Sequence, residues 1–191
     1  MEIYCEAFPQ NERHAVSVIR NRIEQGSGKL HVGVSSGEVV FMALLWPLKG
    51  TGFILLDYMA AKNTHRSEGI GSMFIGELSG ILRAGGKRLI AEVEDPACGN
   101  NRAEKTRRVS FYKRNGMREL KNVRYLLPPL QGGAPTEMIL MVFPGYAEGF
   151  VNGEAIREAI TQIYRELYRR DSANPLLKSF IGAVKGRIDL V

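Results

Sequence analysis

One stretch constrains the fold of this chain more than any other. An apolar run, Phe53-Ile-Leu-Leu-Asp-Tyr-Met-Ala-Ala61, passes through Lys62-Asn-Thr-His65 into Arg66-Ser-Glu-Gly-Ile-Gly-Ser72. From there Ile70, Phe74, Ile75, Leu78, Ile81 and Leu82 recur at helical steps until Gly85-Gly86. The pattern predicts a strand, a glycine-rich turn and an amphipathic helix of about 14 residues. A glycine-rich turn at a helix start presents unpaired backbone N–H groups and the positive end of the helix dipole, and it keeps Cβ atoms out of the way of an anion. It is not a P-loop, because no Gly-Lys-Ser/Thr follows. It is not the dinucleotide fingerprint either, because Phe74 stands where the third glycine belongs.

The elements around this stretch alternate. Ile3 to Phe8 reads as a short strand, and Asn11 to Gln25, with Ala15, Val16, Ile19 and Ile23 on one side, as a helix ended by Gly26-Ser-Gly28. Lys29 to Ser35, Glu38 to Leu45 and Gly52 to Ala61 read as three strands joined by short turns, hence an antiparallel meander. A strand over Arg88 to Glu94 stops at Asp95-Pro96, and a helix over Arg102 to Arg114 stops at Asn115-Gly116. Two further strands follow, Arg118 to Leu127 and Thr136 to Phe143, stopped by Pro128-Pro129 and Pro144-Gly145. From Ala147 onward one helical stripe carries Ile156, Ile160, Ile163, Tyr164 and Leu167. Asn174-Pro175 then caps a last helix with Leu177, Phe180, Ile181, Val184 and Ile188. The expected organisation is a domain over 1–145 and a helical extension over 146–191 that packs on the domain or on a second subunit.

Charge narrows the function classes. The net charge is +6, yet the segment from Cys98 to Arg124 holds nine basic residues against two acidic ones, +7 by itself, so the rest is nearly neutral. A local basic cluster points to an anionic partner: nucleic acid, an anionic membrane or a polyphosphorylated small molecule. The segment lacks an aromatic platform or a reading helix, which counts against nucleic acid. No apolar run approaches the roughly 20 residues of a membrane span, and the first residues lack the pattern of a signal peptide. Cys5 and Cys98 give no disulfide framework, and with His14, His31 and His65 far apart no metal-ligand spacing appears. The expectation is a reduced, cytoplasmic, metal-free protein. Cys98 has no histidine near it in sequence to make it a nucleophile.

Arg66-Ser67-Glu68-Gly69-Ile70-Gly71 resembles the Arg/Gln-x-x-Gly-x-Gly/Ala motif of the GNAT superfamily of N-acetyltransferases, and Phe111-Tyr112-Lys-Arg-Asn-Gly-Met117 is similar to that family's aromatic-Tyr-x-x-x-Gly-Phe string. The order of elements from Ile3 to Phe143 also resembles the family's. The resemblance implies an α/β (α+β) fold with a mixed, mainly antiparallel central sheet flanked by helices, with acetyl-CoA as cosubstrate. It implies that the backbone of Met59, Ala60 and Ala61 pairs with the pantetheine arm, and that Arg66 and the N–H groups of Ser67, Glu68, Gly69, Ile70, Gly71 and Ser72 hold the pyrophosphate. Tyr112 would then be the general acid for the leaving thiolate. Arg102, Lys105 and Lys113 are the cations expected near the phosphates, unless the basic run is a solvated face. Glu68 inside the phosphate loop departs from the pattern, and so does the missing asparagine before the tyrosine, with Lys105 nearest that place.

Direct attack by an amine requires a base. Glu92 and Glu94 share one face of a strand expected to be buried, and Asp57 interrupts the apolar strand beside it, so these three carboxylates are the candidates, with Glu94 placed ahead of the other two because it lies nearer the strand end. The expected reaction is acetyl transfer to a small-molecule or peptide amine. The alternative is a GNAT-fold module that binds CoA or an acyl-CoA without catalysis. A homodimer is also expected from the resemblance and the apolar tail.

Overall fold

The computed structural model describes residues 1–8, 10, 13–130, 132–143 and 149–191. The meander forms as expected: β1 (Lys29–Ser35) pairs antiparallel with β2 (Glu38–Pro47), and β2 with β3 (Phe53–Ala61). Helix α3 (Ile70–Ala84) then carries the chain to β4 (Arg88–Glu94), which lies parallel to β3, as a crossover connection requires. After α4 (Arg102–Arg114) come β5 (Arg118–Glu119), β6 (Tyr125–Leu127) and β7 (Thr136–Phe143). β7 runs antiparallel to β4, β5 and β6. The sheet order is β1-β2-β3-β4-β7-β5, with β6 also on β7.

Beyond the largely exposed β1, both faces of this sheet are covered. On one, Ile75, Leu78 and Leu82 of α3 and Tyr112 of α4 pack against Phe41, Leu56, Ala91 and Met141. The opposite face is shared. Helices α1 (Glu2–Ala7) and α2 (Val16–Glu24) bring Tyr4 and Ile19 onto Met42, Leu44 and Tyr58. Helices α5 (Gly153–Glu166) and α6 (Pro175–Ile181) bury Ile156, Ile160, Ile163, Tyr164 and Phe180 on Trp46, Leu55, Ile90 and Leu140. Burial of each such aliphatic side chain contributes roughly 1.5–3 kcal/mol, so the tail is held by its stripe. Its helices start where the sequence signals them: the Asn152 side chain accepts from the N–H groups of Glu154 and Ala155, and the Asn174 side chain from those of Leu176 and Leu177.

Four expectations change. Ile3 to Phe8 is not a strand, since α1 covers Glu2–Ala7; the Tyr4 and Phe8 rings, four residues apart, meet at 5.8 Å, which is helical spacing. The single strand over Arg118 to Leu127 is two, β5 and β6, because Asn122 turns the chain at φ 59°. The last helix stops at Ile181 instead of running through Ile188. Gly186 at φ 66° leads into β9 (Arg187–Asp189), which pairs with β8 (Phe150–Asn152). The helix placed at Asn11 to Gln25 begins at Val16. Asn11, the Pro144-Gly145 stop, Ala147 and the boundary at 145/146 lie outside the described residues.

The start of α5 leaves no room for a side chain. A Cβ on Gly153 would lie 2.6 Å from the Lys185 carbonyl carbon. Gly76, inside α3, has open space around it. Gly153→Ala is therefore expected to cost about 1–3 kcal/mol by overpacking, whereas Gly76→Ala should stabilise by about 0.5–1 kcal/mol. Urea unfolding of the two variants checks both signs.

Candidate active site

The site forms where two parallel strands part. β3 and β4 pair from Phe53↔Arg88 to Leu56↔Ala91 and no further, so Asp57 and Glu92 are the first residues past the split. Beyond it, Met59, Ala60 and Ala61 keep their partners on β2, which leaves their other edge open. A bulge sits at the same level: Leu44 faces Tyr58 while Leu45 faces Leu56, so Asp57 has no partner residue on β2. The result is a cleft of about 630 Å³ lined by Asp57, Met59, Ala60, Ala61, Glu92 and Tyr112, and at its other end by His65, Arg66, Ser67, Gly69, Ile70, Gly71 and Ser72.

The glycine-rich turn has the geometry of an anion cradle. Ser67 at φ 68° and Gly69 at φ 82° turn the chain into α3. Among the described residues, the backbone N–H groups from Ser67 to Ser72 have no hydrogen-bond acceptor, so six successive donors stand at the start of a 15-residue helix. Gly71 has a packing reason as well, because a Cβ there would lie 3.1 Å from the Phe111 ring. Arg108 and Arg114 of α4 line the same cleft, adding positive charge near the turn.

Tyr112 stands on α4, 9% exposed, and burial pushes its hydroxyl up to about 12 against the smaller opposing effect of Arg108. Its hydroxyl keeps its proton at neutral pH. The Asp57 side chain is 5% exposed, with Arg22 Nη1 4.0 Å away, and its Oδ2 accepts no hydrogen bond among the described residues. Burial pushes its carboxyl up to about 7, against the pull of Arg22 and with a further push from Glu92. Burial also raises the Glu92 carboxyl, while hydrogen bonds from Tyr125 and Tyr168 oppose the rise. Arg22 is itself buried; its Nη2 donates to the Leu167 carbonyl at 2.6 Å, and its guanidinium lies 5.0 Å from the Trp46 ring centre.

Glu94 sits differently from its two companions. Arg108 Nη1 is 2.5 Å from it and Lys105 Nζ 3.4 Å, and it lines a smaller hollow of about 100 Å³ beside Asp57, Glu92, Tyr58 and Tyr168. Glu68 does not line the cleft either; it faces the groove between β1 and α3. The basic run is largely committed to local partners: Lys105 donates to the Cys98 carbonyl, Lys113 pairs with Glu119, Arg118 with the Leu190 carbonyl, and Arg124 with Glu137. Arg108 and Arg114, rather than Arg102, Lys105 and Lys113, line the cleft.

Some site residues escape a reading of the sequence. Arg108 was findable, since it lies one helical turn before Tyr112. Arg22, Tyr125 and Tyr168 carry no local signal and reach the carboxylates only through the tertiary fold. Among the described residues, no group of three or more His, Cys, Asp or Glu is arranged to hold a metal, and no helix is long and apolar enough to cross a membrane.

No family model and no curated protein matches the chain. Solved structures match its fold. A protein from Bacteroides thetaiotaomicron assigned to the GNAT family of acetyltransferases superposes with a TM-score of 0.71 at 22% identity, over 87% of this chain and 88% of that one. An aminoglycoside 6'-N-acetyltransferase, solved in complex with coenzyme A, superposes with a TM-score of 0.55 at 14% identity, over 74% and 86% of the two chains. A Salmonella typhimurium protein assigned as an acetyltransferase, solved with its cofactor acetyl-CoA, gives 0.54 at 16% identity, over 76% and 87%. The chain has the GNAT fold.

The raised Asp57 carboxyl has a consequence for stability. Between about 3.8 and about 7 the folded chain holds a proton at Asp57 that the unfolded chain has released, so this residue lowers stability as pH rises through that window. Asp57→Asn cannot titrate there. Its stability relative to the native chain should grow from pH 4 to pH 7 in urea unfolding, and parallel pH curves for the two proteins would contradict the assignment.

Proposed function

We propose that this chain is an acetyl-CoA-dependent N-acetyltransferase, on the observation that one cleft joins six successive N–H groups without an acceptor among the described residues to the Tyr112 hydroxyl and the Asp57 carboxyl. The residues fit the cosubstrate. The pyrophosphate is held by the Ser67 to Ser72 backbone, with Arg66, Arg108 and Arg114 around it, and the amides of the pantetheine arm pair with the open edge of β3 at Met59 to Ala61. Acetyl-CoA supplies an activated acyl group, a thioester whose sulfur is the leaving group.

The chain's own residues handle the protons. Asp57 accepts one from the ammonium group of the acceptor, and the neutral nitrogen so formed makes the new C–N bond as the C–S bond breaks. Tyr112 gives its proton to the departing sulfur and recovers one from the acylated nitrogen, so the products are the amide and the free thiol of CoA, with one proton left on Asp57. A backbone N–H near Met59 faces the negative charge that develops on the carbonyl oxygen. The base role goes to Asp57 in preference to Glu94, which is held by two cations, and to Glu92, both of whose oxygens accept from tyrosines. The acidic hollow of about 100 Å³ beside the split has the charge and size for the amine end of an acceptor.

Two substitutions test the roles. Tyr112→Phe should lower kcat by roughly 10²–10⁴-fold with CoA affinity unchanged. In the native protein kcat/KM should rise as pH passes about 7, where Asp57 loses its proton, and Asp57→Asn should abolish that rise. CoA binding with no thiol released from acetyl-CoA over a broad amine panel would leave the non-catalytic alternative standing. No CoA binding at all would remove both readings.

A further inference from the structure

The two carboxylates at the split are governed from a part of the chain that lies outside the motifs discussed above. Helix α5 ends at Glu166, and its C-cap Leu167 and then Tyr168 follow. The Leu167 carbonyl anchors Arg22 at 2.6 Å, and Arg22 is the cation 4.0 Å from Asp57. The Tyr168 hydroxyl donates to Glu92 Oε2 at 2.6 Å, while Tyr125 donates to Oε1. Tyr164, one turn earlier, meets both of these tyrosine rings edge-on, at 5.7 Å and 6.1 Å. Two consecutive residues of the tail therefore reach both acids.

We propose that Tyr168 is a positioning residue of the active site, one whose hydroxyl fixes the Glu92 carboxyl beside Asp57 and so couples the ionisation of the two acids. The inference rests on the proposed role of Asp57 as base. The physics is a two-step coupling. A hydroxyl donated to a carboxylate favours its charged form, and a charged neighbour makes a second carboxylate harder to ionise. The other groups that face the pair are Arg22 from α2, Tyr58 from β3 and Tyr125 from β6, with Glu94 and Arg108 across the small hollow. His14 stacks on the far side of Tyr168 at 6.0 Å, and burial, then Arg22, lowers it to about 4, so it is neutral over the range that matters. Burial and the Glu92 charge raise the Tyr168 hydroxyl well above its usual value, so it remains a donor throughout.

The test follows Asp57 itself, by ¹³C NMR titration of its carboxyl in the full chain, with kcat/KM measured in parallel. Tyr168→Phe keeps the ring and removes the donor. Glu92 then protonates more easily, its charge is lost sooner, and the Asp57 midpoint should fall by about half a pH unit or more. In a Glu92→Gln background, where the charge is already absent, Tyr168→Phe should leave the midpoint where it is; a purely structural role would shift it equally in both backgrounds. CoA affinity equal to that of the native chain verifies that each variant is folded. A midpoint that rises or stays fixed in Tyr168→Phe, or that moves as much without Glu92 as with it, overturns the proposal. If Asp57 titrates as described but no amine is acetylated, the transfer reading falls and the Tyr168 coupling stands.

Discussion

The structure depends on a sheet that opens in its middle. Backbone N–H and C=O groups inside a protein are expensive to leave unpaired, and a split between adjacent strands exposes several at once. Here β3 and β4 stop pairing after Leu56 and Ala91, while each keeps its outer neighbour, β2 and β7. The surrounding parts make that gap tolerable. The bulge at Asp57 bends β3 away, α3 and α4 cover the face beneath, and the open edge looks into a cleft where a ligand can supply the missing partners.

Burying acids at the split adds a second constraint, and it explains the elements on the other face. As whole residues Asp57 and Glu92 sit half-buried where an otherwise apolar layer meets the cleft, and an uncompensated charge there would be costly. Compensation arrives from three separate elements: Arg22 from α2, Tyr125 from β6 and Tyr168 after α5. Arg22 in turn is steadied by the Trp46 ring and the Leu167 carbonyl. Burial raises the affinity of both acids for a proton.

Local chemistry made much of this legible in the sequence. The strand, glycine turn and helix from Phe53 to Leu82 could be read because period and turn residues agree, and Asn174-Pro175 marked a helix start for the same reason. Asp57, Glu92 and Glu94 stood out as acids in apolar strands, and the structure brings Asp57 and Glu92 into one cleft with Tyr112. Glu94, placed first of the three for its position near the strand end, is set apart by two cations of α4 whose direction the sequence does not reveal. The surplus of positive charge around α4 was visible as a cluster, but its division between ion pairs and cleft lining is a matter of side-chain direction. The segment at Ile3 to Phe8 failed through its length: six or so residues fit either period, and Tyr4 packing on Phe8 decides for the helix. Asn122 and Gly186, which break or end elements, act through left-handed backbone that composition alone does not reveal.

The hold of the α5 terminus on the site also bears on how the chain matures. Tyr168 lies 76 residues beyond Glu92, and Leu167 lies 145 beyond Arg22. A chain emerging N-terminus first has the strand split, the glycine turn and Tyr112 in hand well before either contact is available. In that interval the two acids lack part of their compensation, so a prematurely closed layer would enclose charge without its partners. Contacts this distant along the chain form slowly and favour late consolidation. The partners of the two acids are thus complete only once the chain has passed Tyr168, well after the sheet that frames them has been synthesised.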